Sequence, residues 1–109
     1  MKWIRIAVLS LGLAYVSQAV QPLEWAELAS LPAEPGQVAH PGVAGPFAGS
    51  DRDVLIIAGG ANFPNQPLWE TDKVWHDTVH VLEKRGDAYE WRSGGRLAVP
   101  LAYGASVST

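Results

Sequence analysis

The sequence predicts an all-β chain of four short strands, and three observations carry that expectation. Asp53-Val-Leu-Ile-Ile-Ala58 is a brief apolar run rich in β-branched residues and closed by Gly59-Gly60. Such a run suits a strand buried on both faces better than a helix, which needs about 10–12 residues. Residues 76–83 alternate, with Thr78, His80 and Leu82 on one face and Val79, Val81 and Glu83 on the other. The chain also holds 11 Gly and 8 Pro, placed between these runs as turn signals.

Taken in order, Trp25-Ala-Glu-Leu-Ala-Ser-Leu-Pro32 has helical propensity over 24–31, but Pro32 and Pro35 end any helix early. Residues 37–49 are rich in Gly, Ala and Pro and read as extended backbone packed close to other backbone. Gly49-Ser-Asp-Arg-Asp53 is a polar turn, so 42–48 and 54–58 are expected to pair as a hairpin. Residues 61–73 carry Asn62, Pro64, Asn65, Pro67 and Trp69 without a strand period and form a long loop. Loops of about 12 residues within compact domains are usually functional or mobile. Lys84-Arg-Gly-Asp87 is a turn, Tyr89-Glu-Trp-Arg92 opens a last strand, and 97–109 return to the Gly/Ala/Ser texture.

Residues 1–19 have the three parts of an export signal. Lys2 and Arg5 precede an apolar core over 6–16, and Ser17-Gln-Ala19 offers small residues to a signal peptidase. That core is about 11 residues, short of the about 20 that cross a bilayer. The expectation is an exported protein, periplasmic or secreted, with no membrane attachment after cleavage. The formal charge of −3 comes from 8 basic and 11 acidic residues. Residues 20–109 keep 6 basic and all 11 acidic residues, a balance of −5. An acidic chain lacks the basic footprint that nucleic-acid binding requires. With no cysteine, disulfides, Cys-ligated zinc and thiol nucleophiles are excluded.

The two ends of residues 20–109 resemble each other. Trp25-x5-Leu31 matches Trp91-x5-Leu97 at an offset of 66, and Gln37-Val-Ala-His-Pro-Gly42 corresponds to Pro100-Leu-Ala-Tyr-Gly104 after a small gap. Repeats of about 40–50 residues with four strands each mark β-propeller blades. The loop over 61–73 accounts for most of the excess length.

The succession of Gly59-Gly60, Trp75-His-Asp77, Tyr89-Glu-Trp91 and Leu97-x-x-Pro-x-x-Tyr-Gly104 resembles a kelch repeat. The fuller strings Gly59-Gly-Ala-Asn-Phe-Pro64, Lys73-Val-Trp-His-Asp77 and Pro100-Leu-Ala-Tyr-Gly-Ala-Ser106 resemble the cyclically permuted kelch mutarotases related to N-acetylneuraminate epimerase. That resemblance implies a kelch-type β-propeller about three times longer, with this chain as its N-terminal part. The chain would supply the outer strand of a closing blade, one four-stranded blade and the start of the next. It implies an exported epimerase that interconverts the anomers of sialic acid by acid–base ring opening, with no cofactor. A non-catalytic kelch module that binds carbohydrate or protein is the alternative. Residues 20–109 alone are expected to aggregate or fold without cooperativity, since repeat units need about three copies to bury a core.

In a kelch blade the chain runs from the inner strand outward, so loops 61–73 and 98–103 are expected on one rim over a central channel lined by 42–48. The rim offers Asn62, Gln66, Trp69, Glu70, Asp72 and Lys73. Amides read sugar hydroxyls, an indole stacks on a sugar ring, and Lys73 can meet a carboxylate. Each has a plainer role as well. Asn62 suits a left-handed turn after the glycines, Trp69 suits a plug between loop and blade, and Glu70, Asp72 and Lys73 suit a solvated charge run. His40, beside Pro41 at the start of the inner strand, is the remaining candidate substrate contact. His76 and Asp77 are adjacent, so on a strand their side chains diverge and form no dyad. His76 and His80 would lie about 13 Å apart along a strand, too far for one zinc ion, and no metal site is expected. Trp25, Trp75, Tyr89 and Trp91 are read as blade packing.

Overall fold

The computed structural model describes residues 18–109, so the export-signal reading lies, apart from its last two residues, outside the described residues. The chain is all-β. Strands β1 (Phe47–Asp51), β2 (Val54–Ala58), β5 (Thr78–Arg85) and β6 (Ala88–Arg96) form one antiparallel sheet in the order β1-β2-β5-β6. A second, two-stranded sheet pairs β3 (Ala61–Asn62) with β4 (Val74–Trp75). Between β3 and β4 lies a single 3-10 turn at Leu68–Glu70. The predicted strands over 54–58, 76–83 and from 89 onward are present, with bounds moved by one or two residues or extended.

The two outer hairpins close on the turns the sequence marks. Asp51 pairs with Val54 across Arg52-Asp53, where Arg52 takes φ +53. Arg85 pairs with Ala88 across Gly86-Asp87, where Gly86 takes φ +63. Left-handed φ at such turns matches the twist of the paired strands.

The first strand departs from the expected 42–48. Pairing begins only at Phe47, because Gly42 and Gly45 adopt φ +84 and +58, which an extended strand does not tolerate, and Pro46 has no N–H to donate. The preceding stretch instead makes one bridge, with Ala44 and Ala61 exchanging N–H···O bonds of 2.8 and 3.0 Å. No helix forms over 24–31, where the two prolines close the segment before a turn of helix has partners.

Strands β2 and β5 continue into β3 and β4 as one long hairpin bent at Gly59-Gly60. The Gly59 N–H donates to the Thr78 carbonyl at 2.9 Å and the His76 N–H to the Gly60 carbonyl at 2.9 Å, so pairing is unbroken through the bend. Residues 97–103 lace beneath it. Leu97 N–H bonds the Asp77 carbonyl, Leu101 N–H the His76 carbonyl, and Gly60 N–H the Leu101 carbonyl, at 2.7, 3.2 and 2.8 Å. These bonds set residues 97–103 beside the base of loop 61–73.

Strand β6 carries a bulge. Val79 pairs with Gly95 and His80 with Ser93, leaving Gly94 unmatched. A Cβ on Gly94 would sit 2.7 Å from Val79 Cγ1 and 2.8 Å from Val81 Cγ2, so only glycine lets β6 cross the valine face.

Among the described residues the buried apolar side chains are Ala58, Ala61, Val81 and Leu82. Leu82, 1% exposed on the central strand, is the one large side chain fully enclosed. Truncating it leaves a cavity that the β2 and β6 backbones cannot fill. In the protein as its gene encodes it, Leu82→Ala is expected to lower unfolding stability by about 2–5 kcal/mol, read as a shift in denaturant midpoint. A loss below about 0.5 kcal/mol would show that this strand is not the core.

Candidate functional site

An open groove of about 500 Å³ lies where the bent hairpin, the 41–45 stretch and the C-terminal segment meet. Its wall includes Gly42 and Val43 on one side, Asn62, Phe63, Gln66, Leu68 and Lys73 from the hairpin extension, and Tyr103. Such a volume is at the small end of ligand sites, suited to a monosaccharide-sized ligand.

Asn62 sits on β3 with its amide held at both ends. Nδ2 donates to the Gly42 carbonyl at 2.7 Å, and Oδ1 faces His76 Nε2 at 2.8 Å. With Nδ2 committed to a carbonyl, Oδ1 is the acceptor, so His76 carries its proton on Nε2. The left-handed reading of Asn62 does not apply, because the positive φ values fall on Gly59 and Gly60 instead. One N–H and one lone pair of the amide are left for a ligand.

The same chain of contacts reaches His40. Gly42 N–H donates to His40 Nδ1 at 2.9 Å, which fixes that imidazole as the neutral Nε2–H tautomer. His40 therefore lies behind the groove wall and not in it. Its ring meets His80 edge-on at 5.8 Å between centroids, and His80 meets Trp91 edge-on at 6.1 Å. All three histidines of the chain thus gather along one line, although they are spread from 40 to 80 in sequence. His76 precedes β5, so the strand spacing expected between His76 and His80 does not apply.

Burial holds both the His40 and the His80 imidazole below the ordinary range, with Glu34 opposing the shift. The neighbouring cations that would form add to it: His76 lowers His40, while His40 and His76 lower His80. Glu34 also accepts a hydrogen bond from Thr78 Oγ1 at 3.4 Å.

Lys73 leaves the charge run in which the sequence places it. Its Nζ lies 4.4 Å from the Tyr103 ring centroid and 5.5 Å from that of Trp75, and the two rings meet edge-on at 5.6 Å. Trp75 is thus half-exposed and part of a cation–aromatic cluster. Tyr103 takes φ +59, a conformation that costs a non-glycine residue about 1–3 kcal/mol. It is kept there by its N–H bond to the Gly45 carbonyl at 2.8 Å and by stacking against Gly45, where a Cβ would come within 2.3 Å of the ring.

Trp69 is 83% exposed and outside the groove wall, so it does not plug the loop. Within the 3-10 turn Leu68 borders the groove, half-exposed, while the indole points away from it. His76 and Asp77 diverge as expected. Asp77 accepts from Arg96 at 2.7 Å while His76 serves Asn62. Trp91 donates from Nε1 to the Ala29 carbonyl at 2.8 Å, whereas Trp25 is 89% exposed. No group of His, Asp and Glu among the described residues is arranged to hold a metal ion. Nor is any helix among them long and apolar enough to cross a membrane.

These features define an all-β meander that carries a groove with one cation, two amides and an apolar wall. No family model and no solved structure matches the chain. Among curated proteins it is similar to the N-acetylneuraminate epimerase of Salmonella arizonae, at 35% identity over 96 residues, which covers 79% of this chain and 24% of that protein. The protein of the same name from Salmonella typhimurium gives the same figures. That from Yersinia pestis is 33% identical over 97 residues, covering 78% of this chain and 23% of its own length. The chain thus spans about a quarter of the length of the curated relatives it matches. This similarity is the one that the Gly-Gly-Ala-Asn-Phe-Pro and Trp-His-Asp strings imply.

His40 and His80 are neutral when folded at pH 7, while the unfolded chain protonates near 6.5. Below that value the unfolded state binds more protons, so the histidine contribution is fully present above pH 6.5 and declines as pH falls toward the folded pKa values. In the protein as its gene encodes it, the denaturant midpoint is expected to fall between pH 7 and pH 5, and His80→Gln to flatten that dependence. An unchanged slope in the variant would place the pH response elsewhere.

Proposed function

We propose that this chain forms part of the sugar-binding rim of an exported sialic acid mutarotase built as a closed kelch-type propeller. The observation that carries the proposal is the 33–35% identity to proteins named N-acetylneuraminate epimerase. The groove supports it with chemistry of the right kind. Phe63 and Leu68 offer an apolar wall to a ring face, the Asn62 and Gln66 amides suit hydroxyls, and Lys73 suits a carboxylate. The thin core supports the propeller reading. Leu82 is the one large fully enclosed side chain among the described residues, while Ile56, Tyr89 and Trp25 are 43, 43 and 89% exposed, as faces that pack against neighbouring blades would be.

Mutarotation requires a base to take the proton from the anomeric hydroxyl and an acid to give one to the ring oxygen. The ring opens to the ketone, the carbonyl face turns, and closure returns both protons, so no net change and no cofactor are involved. The groove wall holds no carboxylate, so within the complete protein the acid and base come from other residues, with this rim holding and orienting the sugar. That same feature favours a second reading, a kelch module that binds carbohydrate without turning it over.

One experiment separates the two. Freshly dissolved α-N-acetylneuraminate is followed by proton NMR with the protein as its gene encodes it. Anomer exchange well above the buffer rate is expected. A decay no faster than in buffer refutes the mutarotase reading, and sugar binding under the same conditions selects the binding module.

A further inference from the structure

The groove contains a charge that its surroundings do not neutralise. Lys73 takes part in none of the ion pairs among the described residues; those use Arg52, Arg85, Arg92 and Arg96. Its ammonium is instead held over Tyr103 and near Trp75 at 4.4 and 5.5 Å. Aromatic faces fix the position of a cation through their quadrupoles but carry no formal charge to balance it. A clamped, unbalanced ammonium on a groove wall is an anion receptor waiting for its partner.

The form of the receptor narrows the anion. Lys73 is the single cation on the groove wall, so it suits one negative charge and not a phosphate, which is commonly met by several donors or cations. The remaining wall is apolar at Val43, Phe63 and Leu68 and amide-bearing at Asn62 and Gln66. Asn62 is already oriented by His76 and Gly42, so its free donor and acceptor are fixed in space. One charge, oriented amides and an apolar wall together match a monosaccharide bearing a single carboxylate.

Resting on the mutarotase reading for the identity of the sugar, we infer that Lys73 is the residue that recognises the substrate carboxylate. Trp75 and Tyr103 act as its positioning residues. The left-handed backbone of Tyr103, held against Gly45, places the ring that aims the ammonium.

The test compares N-acetylneuraminate with its methyl ester, which keeps the ring and hydroxyls and removes the charge. Calorimetric titration uses the protein as its gene encodes it. Wild type is expected to prefer the acid by about tenfold to a hundredfold, the size of one charge-assisted hydrogen bond. Lys73→Gln is expected to erase that preference with ester affinity kept, and Lys73→Arg to retain most of it. Acid binding by wild type is also expected to weaken as salt rises, while ester binding does not. An acid preference unchanged in Lys73→Gln overturns the assignment, as does salt-independent acid binding by wild type. The salt series decides the matter if the variant loses both ligands. Acid preference with no anomer exchange leaves the Lys73 assignment standing and refutes the mutarotase reading alone.

Discussion

The arrangement depends on the Leu101 carbonyl lying against two glycines. Gly60 donates its N–H to that oxygen at 2.8 Å, and a Cβ on Gly59 would sit 2.2 Å from it. A Cβ on Gly60 would meet Val43 Cβ at 2.7 Å. With φ of +66 and +94, the pair bends the central hairpin at the point where three stretches of chain must touch. Any side chain here would push 97–103 away from the bend and 41–45 away from β3.

Bringing those stretches together creates the groove. Once the hairpin bends, Asn62 comes within reach of the Gly42 carbonyl and of His76, and Lys73 comes over Tyr103. The amide and imidazole contacts then run from His76 through Asn62 and Gly42 to His40. Each member fixes the next one's orientation, because an amide bonded at both ends has no freedom to flip and an imidazole accepting at Nδ1 has one neutral tautomer. The wall is therefore set before any ligand arrives. Preset donors keep the ordering cost of binding low.

The sheet itself has little interior. Its central strand is covered at Val81 and Leu82, but β1 and the C-terminal residues meet chiefly through hydroxyls. Ser106 Oγ and Ser108 Oγ accept from the Ala48 and Ser50 N–H groups at 3.2 and 3.0 Å, running beside the outer edge of β1. Glu83 is held by Arg92 and Arg85, which keep its carboxyl below the ordinary range on an exposed face. Exposed pairs of this kind add little stability. The weight falls on packing of the faces.

Three of the strands (β2, β5 and β6) and their turns were legible in sequence because each rests on local chemistry, whereas β1 was expected five residues early and the short β3–β4 pair was read as loop. β-branched runs favour strands, Gly86 supports a tight turn, and Gly59-Gly60 closes the β2 run. The closeness of 61–73 to 98–103 was expected from the strand order of the blade the sequence resembles, and the backbone bonds from 97–101 to 60, 76 and 77 bring the two segments together. What the sequence did not carry was where side chains 20 to 60 positions apart would meet. Asn62 read as a sugar contact or a turn residue, Lys73 as a carboxylate contact or one member of a charge run, and Trp75 as packing, since neighbours in sequence were all there was to judge them by. The tertiary bend supplied their distant partners. It joined Lys73 to Tyr103 across 30 positions and Asn62 to Gly42 across 20. Backbone preference is a property of a few adjacent residues. The orientation of a polar side chain belongs to whatever distant partner the fold brings within hydrogen-bonding reach.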